Sequence, residues 1–164
     1  MNSPDQWFDA LLEERAPANV LQLGAVELPA LSHYAQATSV TRLQRDTVQA
    51  LLDAPLDARV DLCVVQADFV HSMGRQAITA IAGIRNQYCH NVYLFIPRDE
   101  LARDDDSVSL NDLLGLGMRK LAEFENDGRW LDCYGYEMLR YNKKRSWNNA
   151  KFWANPENFG KYWW

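Results

Sequence analysis

The hydrophobic pattern of the chain alternates between two periods. Short apolar runs, typical of buried parallel strands, are separated by longer segments whose apolar residues recur at helical spacing. The predicted strands are residues 19–23, 39–43, 60–66 and 91–96. The predicted helices are residues 4–15, 29–36, 46–52 and 75–87, with a further helix capped near Ser107 or Ser109. This alternation indicates βαβ units, and therefore a parallel sheet with right-handed crossovers.

The pattern changes after Gly117. Residues 118–125 could extend a helix, but Asn126-Asp127-Gly128 is a strong turn signal, and the aromatic-rich residues 129–138 favour a strand. We therefore expect a β-hairpin at the end of the domain. The predicted fold class is an α/β, three-layer Rossmann-like sandwich with a mostly parallel sheet and a C-terminal antiparallel hairpin.

Length and composition fit one domain with its own core. The chain has 164 residues, of which 48% are hydrophobic. Its N-terminus has no basic region followed by an apolar run, and no run is long enough to span a bilayer, so we expect a cytoplasmic protein that contacts no membrane. The three widely spaced cysteines indicate buried thiols, and we predict no metal site. These cysteines are Cys63, Cys89 and Cys133.

The net charge of −5 is unevenly distributed along the chain. From Arg140 to the C-terminus there are six basic residues and one acid, a net charge of +5, which leaves −10 for the first 139 residues. Such an asymmetry often marks an interaction surface. We predict a Rossmann-like domain over residues 1–139 and a basic aromatic tail over residues 140–164.

Four local segments resemble class I S-adenosylmethionine-dependent methyltransferases. Residues 10–24 resemble the helix and first strand of the cofactor motif, and residues 61–73 resemble the fourth strand with the segment that follows it. Residues 91–97 resemble the fifth strand, and residues 113–120 resemble the entry to the hairpin. The resemblance implies a methyltransferase-like fold and S-adenosylmethionine as a possible cofactor. The last twelve residues instead resemble an uncharacterised proteobacterial family of unknown function.

Several positions depart from the methyltransferase pattern. Gln22 stands where the family's first strand ends in an acid, and residues 25–27 are Ala-Val-Glu where the family has a glycine-rich turn. Gln44 stands where an acid accepts the ribose hydroxyls. Between Leu43 and Val60 there is room for about one helix, so the third strand of the family is predicted to be missing. Weakened contacts of about 1–3 kcal/mol each would lower cofactor affinity by several orders of magnitude.

These departures favour one function over another. The first hypothesis is a non-catalytic binding or scaffold protein, with an unknown protein partner or small ligand. The alternative is an active methyltransferase with a divergent cofactor pocket. S-adenosylmethionine is thus possible as a cofactor but is not favoured, and no catalytic residue is assigned.

The candidate cofactor-binding residues are Gly24, Gln44, Gln66 and Asp68. All four are expected beyond the carboxyl ends of parallel strands, where open α/β sheets bind ligands. The alternatives are that Gly24 serves only the strand-to-helix turn and that the polar residues mark where the chain surfaces. Asp68 and His71 could form an acid/base pair, or they could be a helix-capping carboxylate and an unrelated imidazole.

The tail places eight aromatic residues among six cations. With Lys143, Lys144, Arg145 and Trp147 as candidate contacts, it could bind single-stranded nucleic acid or a partner, because rings stack on bases and cations pair with phosphates. The alternative is that the tail folds back on the acidic body, burying its rings and pairing its cations with carboxylates. We expect the docked tail, because an acidic body repels nucleic acid and attracts the tail.

Overall fold

A computed structural model of the chain describes residues 3–53, 56–101, 106–141, 150–152, 155–158 and 161. The helices are α1 (Pro4–Arg15), α2 (Pro29–Ala37), α3 (Val48–Asp53), α4 (Ala67–Met73), α5 (Gln76–Gln87), α6 (Leu110–Gly115) and α7 (Met138–Tyr141). The strands are β1 (Asn19–Leu23), β2 (Thr41–Arg45), β3 (Leu62–Gln66), β4 (Asn91–Pro97), β5 (Arg119–Asn126) and β6 (Arg129–Glu137). No helix in this described part is long and apolar enough to cross a membrane.

The six strands form one sheet in the order β2-β1-β3-β4-β6-β5. The first four strands of this order run parallel, and β6 pairs antiparallel with both β4 and β5. Val20 lies opposite Leu62 and Leu23 lies opposite Val65, so β1 and β3 are adjacent as the pattern predicted. Among the described residues no strand lies beyond β2, where the methyltransferase family would place its third strand. The predicted fold class is confirmed.

The core lies on both faces of the sheet. Phe69, Ile81 and Leu113 belong to the cluster on one face, and Phe8 and Leu31 belong to the cluster on the other. Successive side chains of a strand point to opposite faces of the sheet. Because both faces of β3 are covered by the core, every residue of β3 is buried. The parallel strands therefore read as continuous apolar runs in the sequence.

Two local details differ from the sequence prediction. The strand predicted at 39–43 is observed at Thr41–Arg45, because its parallel register with β1 pairs Asn19 with Thr41 and Leu23 with Arg45. Helix α4 follows β3 directly, where the sequence indicated only a helix start at Asp68 without limits. It ends at Gly74, whose φ of +54° is in the left-handed region that a glycine adopts without strain. The predicted cap of α6 is Ser109, whose hydroxyl accepts from the Asp112 N–H in a capping box.

The C-terminal hairpin has the turn that its sequence predicts. Asp127 and Gly128 both have positive φ values, 51° and 76°, as a two-residue type I′ turn requires. Strand β6 then runs antiparallel to β4 and ends with Glu137 opposite Asn91, the first residue of β4. The chain therefore leaves the sheet at the edge where the parallel strands begin.

Candidate ligand site at the carboxyl edge of the sheet

The four candidate residues lie together at the carboxyl ends of β1, β2 and β3. The Gln44 side-chain amide donates to the Gly24 carbonyl at 3.1 Å. Asp68 Oδ2 accepts from the Ala25 N–H at 2.7 Å. The structure thus joins positions that are up to 44 residues apart, although their role in ligand binding remains a prediction.

Gln22 and Gln66 close the space between the ends of β1 and β3. Gln22 Nε2 donates to Gln66 Oε1 at 3.0 Å, and the two Nε2 atoms both donate to the Val26 carbonyl, at 2.8 and 2.9 Å. Gln22 is fully buried and Gln66 is 6% exposed. We call this arrangement of Gln22, Gln66 and the Val26 carbonyl the glutamine clamp, because it holds residues 24–26 across the strand ends.

Arg42 completes the polar network. Its Nε and Nη2 donate to Gln22 Oε1 at 3.1 and 2.7 Å, and its Nη1 donates to Ser32 Oγ at 3.3 Å. Gln22 therefore has partners for both its amide hydrogens and its oxygen. Sequence analysis missed Arg42, although an available signal was its position two residues before Gln44 in β2, which places both side chains on one face of the sheet.

Gly24 is required by the packing of the protein's own side chains. Its φ is +129°, and a Cβ added there would lie 2.5 Å from Gln66 Oε1 and 2.6 Å from Asp68 Oδ1. Real Cβ atoms do not tolerate contacts this short, so the glycine has an internal structural reason. Asp68 Oδ1 is buried and finds no hydrogen-bond partner among the described residues. Asp68 Oδ1, beside Gly24, is therefore a buried acceptor without a donor in the described part of the chain.

A groove of about 360 Å³ opens beside the glutamine clamp. Apolar side chains and three carboxylates line it, among them Phe8, Val26, Leu28, Phe95, Leu131, Asp5, Glu27 and Asp68. It shares the lining residues Pro4, Pro97 and Leu131 with a neighbouring cavity of about 780 Å³ that also contacts Trp130. We call the two together the carboxyl-edge groove. Gln66 also lines the smaller groove, so the clamp forms part of its wall.

Asp68 and His71 do not pair with each other. His71 Nε2 lies 2.8 Å from Glu100 Oε2, whereas Asp68 contacts the Ala25 N–H and the space above Gly24. Because α4 begins directly after β3, its first turn directs Asp68 toward Gly24, and His71 lies one turn later. The acid/base pair considered from the sequence is therefore wrong, and Asp68 does not cap α4 either, because the helix has no side-chain cap hydrogen bond.

Other expectations concern the tail and the cysteines. Lys143, Lys144, Arg145 and Trp147 lie outside the described residues, so their role as nucleic-acid or partner contacts stays a prediction. The three cysteines are buried free thiols, which agrees with the sequence interpretation. In the described ranges, no group of three His, Cys, Asp or Glu side chains is placed to hold a metal ion.

The sheet order and the site position define the class of the fold, a Rossmann-like methyltransferase fold. The methyltransferase domain of bacterial CtHen1 matches with a TM-score of 0.52 and 11% identity over 81% of this chain and 96% of that domain. Magnesium protoporphyrin IX methyltransferase (ChlM) from Synechocystis PCC 6803, solved with bound SAM, matches with a TM-score of 0.52 and 12% identity over 81% of this chain and 77% of that one. At such identities the likeness shows the fold alone.

The family follows from the sequence. A model of DUF6231, a family of unknown function, matches residues 2–164, so the chain belongs to that family. The match runs through the basic aromatic tail as well as the domain. No curated protein matches the sequence.

Proposed function

We propose that this protein is a non-catalytic binding or scaffold protein built on a methyltransferase-like fold. The observation that carries the proposal is the glutamine clamp. In the methyltransferase family the turn after the first strand leaves room for the cofactor. Here Gln66 of the clamp, together with Asp68, fills the space above Gly24.

Cofactor entry would have to break the clamp. Three of its hydrogen bonds join buried amides to each other and to the Val26 carbonyl. Each is worth about 0.5–1.5 kcal/mol net, and a buried amide left without a partner costs about 1–3 kcal/mol. The Gln44 amide, at the position where the family has its ribose acid, is bonded to the Gly24 carbonyl and to Asp46. These costs oppose S-adenosylmethionine binding.

The carboxyl-edge groove is the surface we assign to binding. Its apolar walls provide the contact area typical of ligand sites, and its few polar groups can orient an occupant. Asp68 supplies a buried acceptor atom that lacks a partner in the described part of the chain. A small ligand or a segment of a partner protein fits this description.

Calorimetric titration with S-adenosylmethionine and S-adenosylhomocysteine tests the proposal. We expect no binding heat up to millimolar ligand. A thermal-shift measurement gives an independent readout, because a ligand present at about 100 times its Kd stabilises a protein by about 2.7 kcal/mol. Micromolar binding of either compound would overturn the proposal and favour the alternative, an active methyltransferase with a divergent pocket.

A further inference from the structure

A buried carboxylate gathers three arginines at the opposite edge of the sheet. The Glu137 side chain is 3% exposed and its Oε1 accepts from the Tyr93 hydroxyl at 2.9 Å and from Arg15. Its Oε2 accepts from Arg119 Nη2 at 3.1 Å and pairs with Arg140 Nε at 3.2 Å. Glu137 therefore fixes the guanidinium groups of Arg119 and Arg140 next to each other.

These two guanidinium groups have donors to spare. The side chains of Arg119 and Arg140 are each 52% exposed, and a guanidinium carries five N–H donors. Arg140 also lies 3.8 Å from Glu14 Oε1, which is too long for a hydrogen bond. The three arginines have two carboxylates within 4 Å, Glu137 and the exposed Glu14, so the cluster keeps a net charge of about +1.

The positive charge extends along the edge where the parallel strands begin. A cavity of about 340 Å³ is lined by Arg119, Glu137 and Arg140, and a second cavity of about 490 Å³ is lined by Arg15, Arg59 and His90. The Arg15–Glu137 ion pair connects the two. Asp61 lies in the second cavity, where its Oδ2 accepts from the N–H groups of Ala18 and Asn19. We call Arg15, Arg59, Arg119 and Arg140 the arginine strip.

We propose that the arginine strip binds the phosphodiester backbone of single-stranded nucleic acid. A planar guanidinium fork matches two phosphate oxygens, and a preoriented pair of such forks loses little side-chain entropy on binding. Arg140, the last residue of the strip, is followed in the sequence by Lys143, Lys144 and Arg145, and then by aromatic residues suited to stacking on bases. The site is independent of the carboxyl-edge groove, which lies at the other ends of the strands.

The test measures binding of the full chain to a fluorescein-labelled oligouridylate by anisotropy at about 50 and about 200 mM salt. The variants are Arg119→Gln and Arg140→Gln. The matched control is Arg75→Gln, because the Arg75 side chain is 54% exposed and lies 3.3 Å from the Asp112 carboxylate. The control removes the same charge from a similar ion pair on helix α5's N-terminal side, away from the strip.

We expect each strip variant to weaken RNA binding by roughly three- to tenfold at the lower salt, while the control stays within about twofold of the wild type. Each lost phosphate contact should also reduce the slope of log K against log salt by about 0.7. Circular dichroism and melting temperatures check that the variants are folded; Glu137 keeps Arg15 and Tyr93 as partners in both.

Three outcomes would overturn the proposal. In the first, the wild-type protein does not bind the oligonucleotide. In the second, the control weakens binding as much as the strip variants, which would show a response to net charge alone. In the third, a polyglutamate peptide competes as well as unlabelled RNA, which would show that phosphate is not the group recognised.

Discussion

The side-chain amide of Gln22 donates a hydrogen bond to Gln66 Oε1 at 3.0 Å, between the ends of two neighbouring parallel strands. Both amides also donate to the Val26 carbonyl. The loop after β1 is therefore held against the sheet by side chains that belong to the sheet itself. Arg42 occupies the remaining acceptor of Gln22, so the network is internally satisfied.

A double-mutant cycle on the glutamine clamp should show coupling. We expect Gln22→Met and Gln66→Met each to lower the free energy of unfolding by about 1–3 kcal/mol, because each leaves buried partners unpaired. The double variant should lose about 0.5–1.5 kcal/mol less unfolding free energy than the two single variants lose together, as measured by urea unfolding. The exposed Gln36→Met is the control and should stay within about 0.5 kcal/mol. Strict additivity would contradict the clamp.

Gly24→Ala should destabilise the protein by about 1–3 kcal/mol. The new methyl group would meet Gln66 and Asp68 atoms at 2.5–2.8 Å, at a φ of +129°. The control is Gly83→Ala in helix α5, where a Cβ finds no atom within 4 Å. That change should raise stability by about 0.5–1 kcal/mol, because alanine is the better helix former. Equal effects of the two substitutions on thermal unfolding would show that residues 24–26 rearrange easily.

Asp132 should contribute stability that depends on pH. Burial by itself raises the pKa of Asp132, but hydrogen bonds from Arg98 and Lys120 outweigh burial and hold the pKa below its usual range. A carboxyl group with a depressed folded-state pKa stabilises the protein above its unfolded pKa of about 3.9, and this stability is lost as the pH falls through the folded value.

We therefore expect Asp132→Asn to lower the free energy of unfolding by roughly 1.5–3 kcal/mol at neutral pH. The difference from the wild type should narrow below about pH 4. The exposed Asp57→Asn is the control and should change little at either pH. If the difference in unfolding free energy between Asp132→Asn and the wild type stays constant from neutral to acidic pH, the effect of Asp132 is not electrostatic.

The cysteine thiols should resist modification in the folded state. All three are at most 1% exposed, and burial raises the pKa of Cys89 to about 12. Because the thiolate is the reactive form, we expect a thiol-specific disulfide reagent to label none of them in the native protein near pH 8. Addition of guanidinium chloride should expose all three. Rapid labelling of one thiol without denaturant would contradict the described packing.

Removal of the tail should lower the melting temperature. The 24 residues from Tyr141 onward carry eight aromatic side chains, and each ring can bury about 150–250 Å². Arg140, directly before the deletion, already pairs with Glu137 of the body. If the rings pack on the body, truncation after Arg140 should cost several degrees in a thermal melt. An unchanged melting temperature would mean that the tail does not stabilise the domain.

Local sequence patterns were sufficient for much of the fold. Strands β1, β3 and β4 are short aliphatic runs because parallel strands are buried on both faces, and this burial leaves a clear signal. The hairpin was predictable because Asp127 and Gly128 must adopt positive φ, and few residue types do so readily. These features depend on neighbours within a few positions along the chain.

The register of β2 and the extent of α4 were not determined locally. The edge strand β2 has one apolar residue, Leu43, among four polar ones, so its limits are set by hydrogen bonds to β1. Helix α4 follows β3 without an intervening turn signal, and Phe69 and Val70 anchor it in the core. Tertiary packing sets these limits, because the local helix and strand propensities are weak in both segments.

The sequence placed polar residues at the strand ends, but only the tertiary structure decided what they contact. Gln22 could have faced a ligand; it faces Gln66 and Arg42, which are 44 and 20 residues away. Arg15 meets Glu137 across 122 residues. Hydrogen bonds between distant side chains depend on strand order and register, which are properties of the whole sheet and leave no periodic signal in the chain.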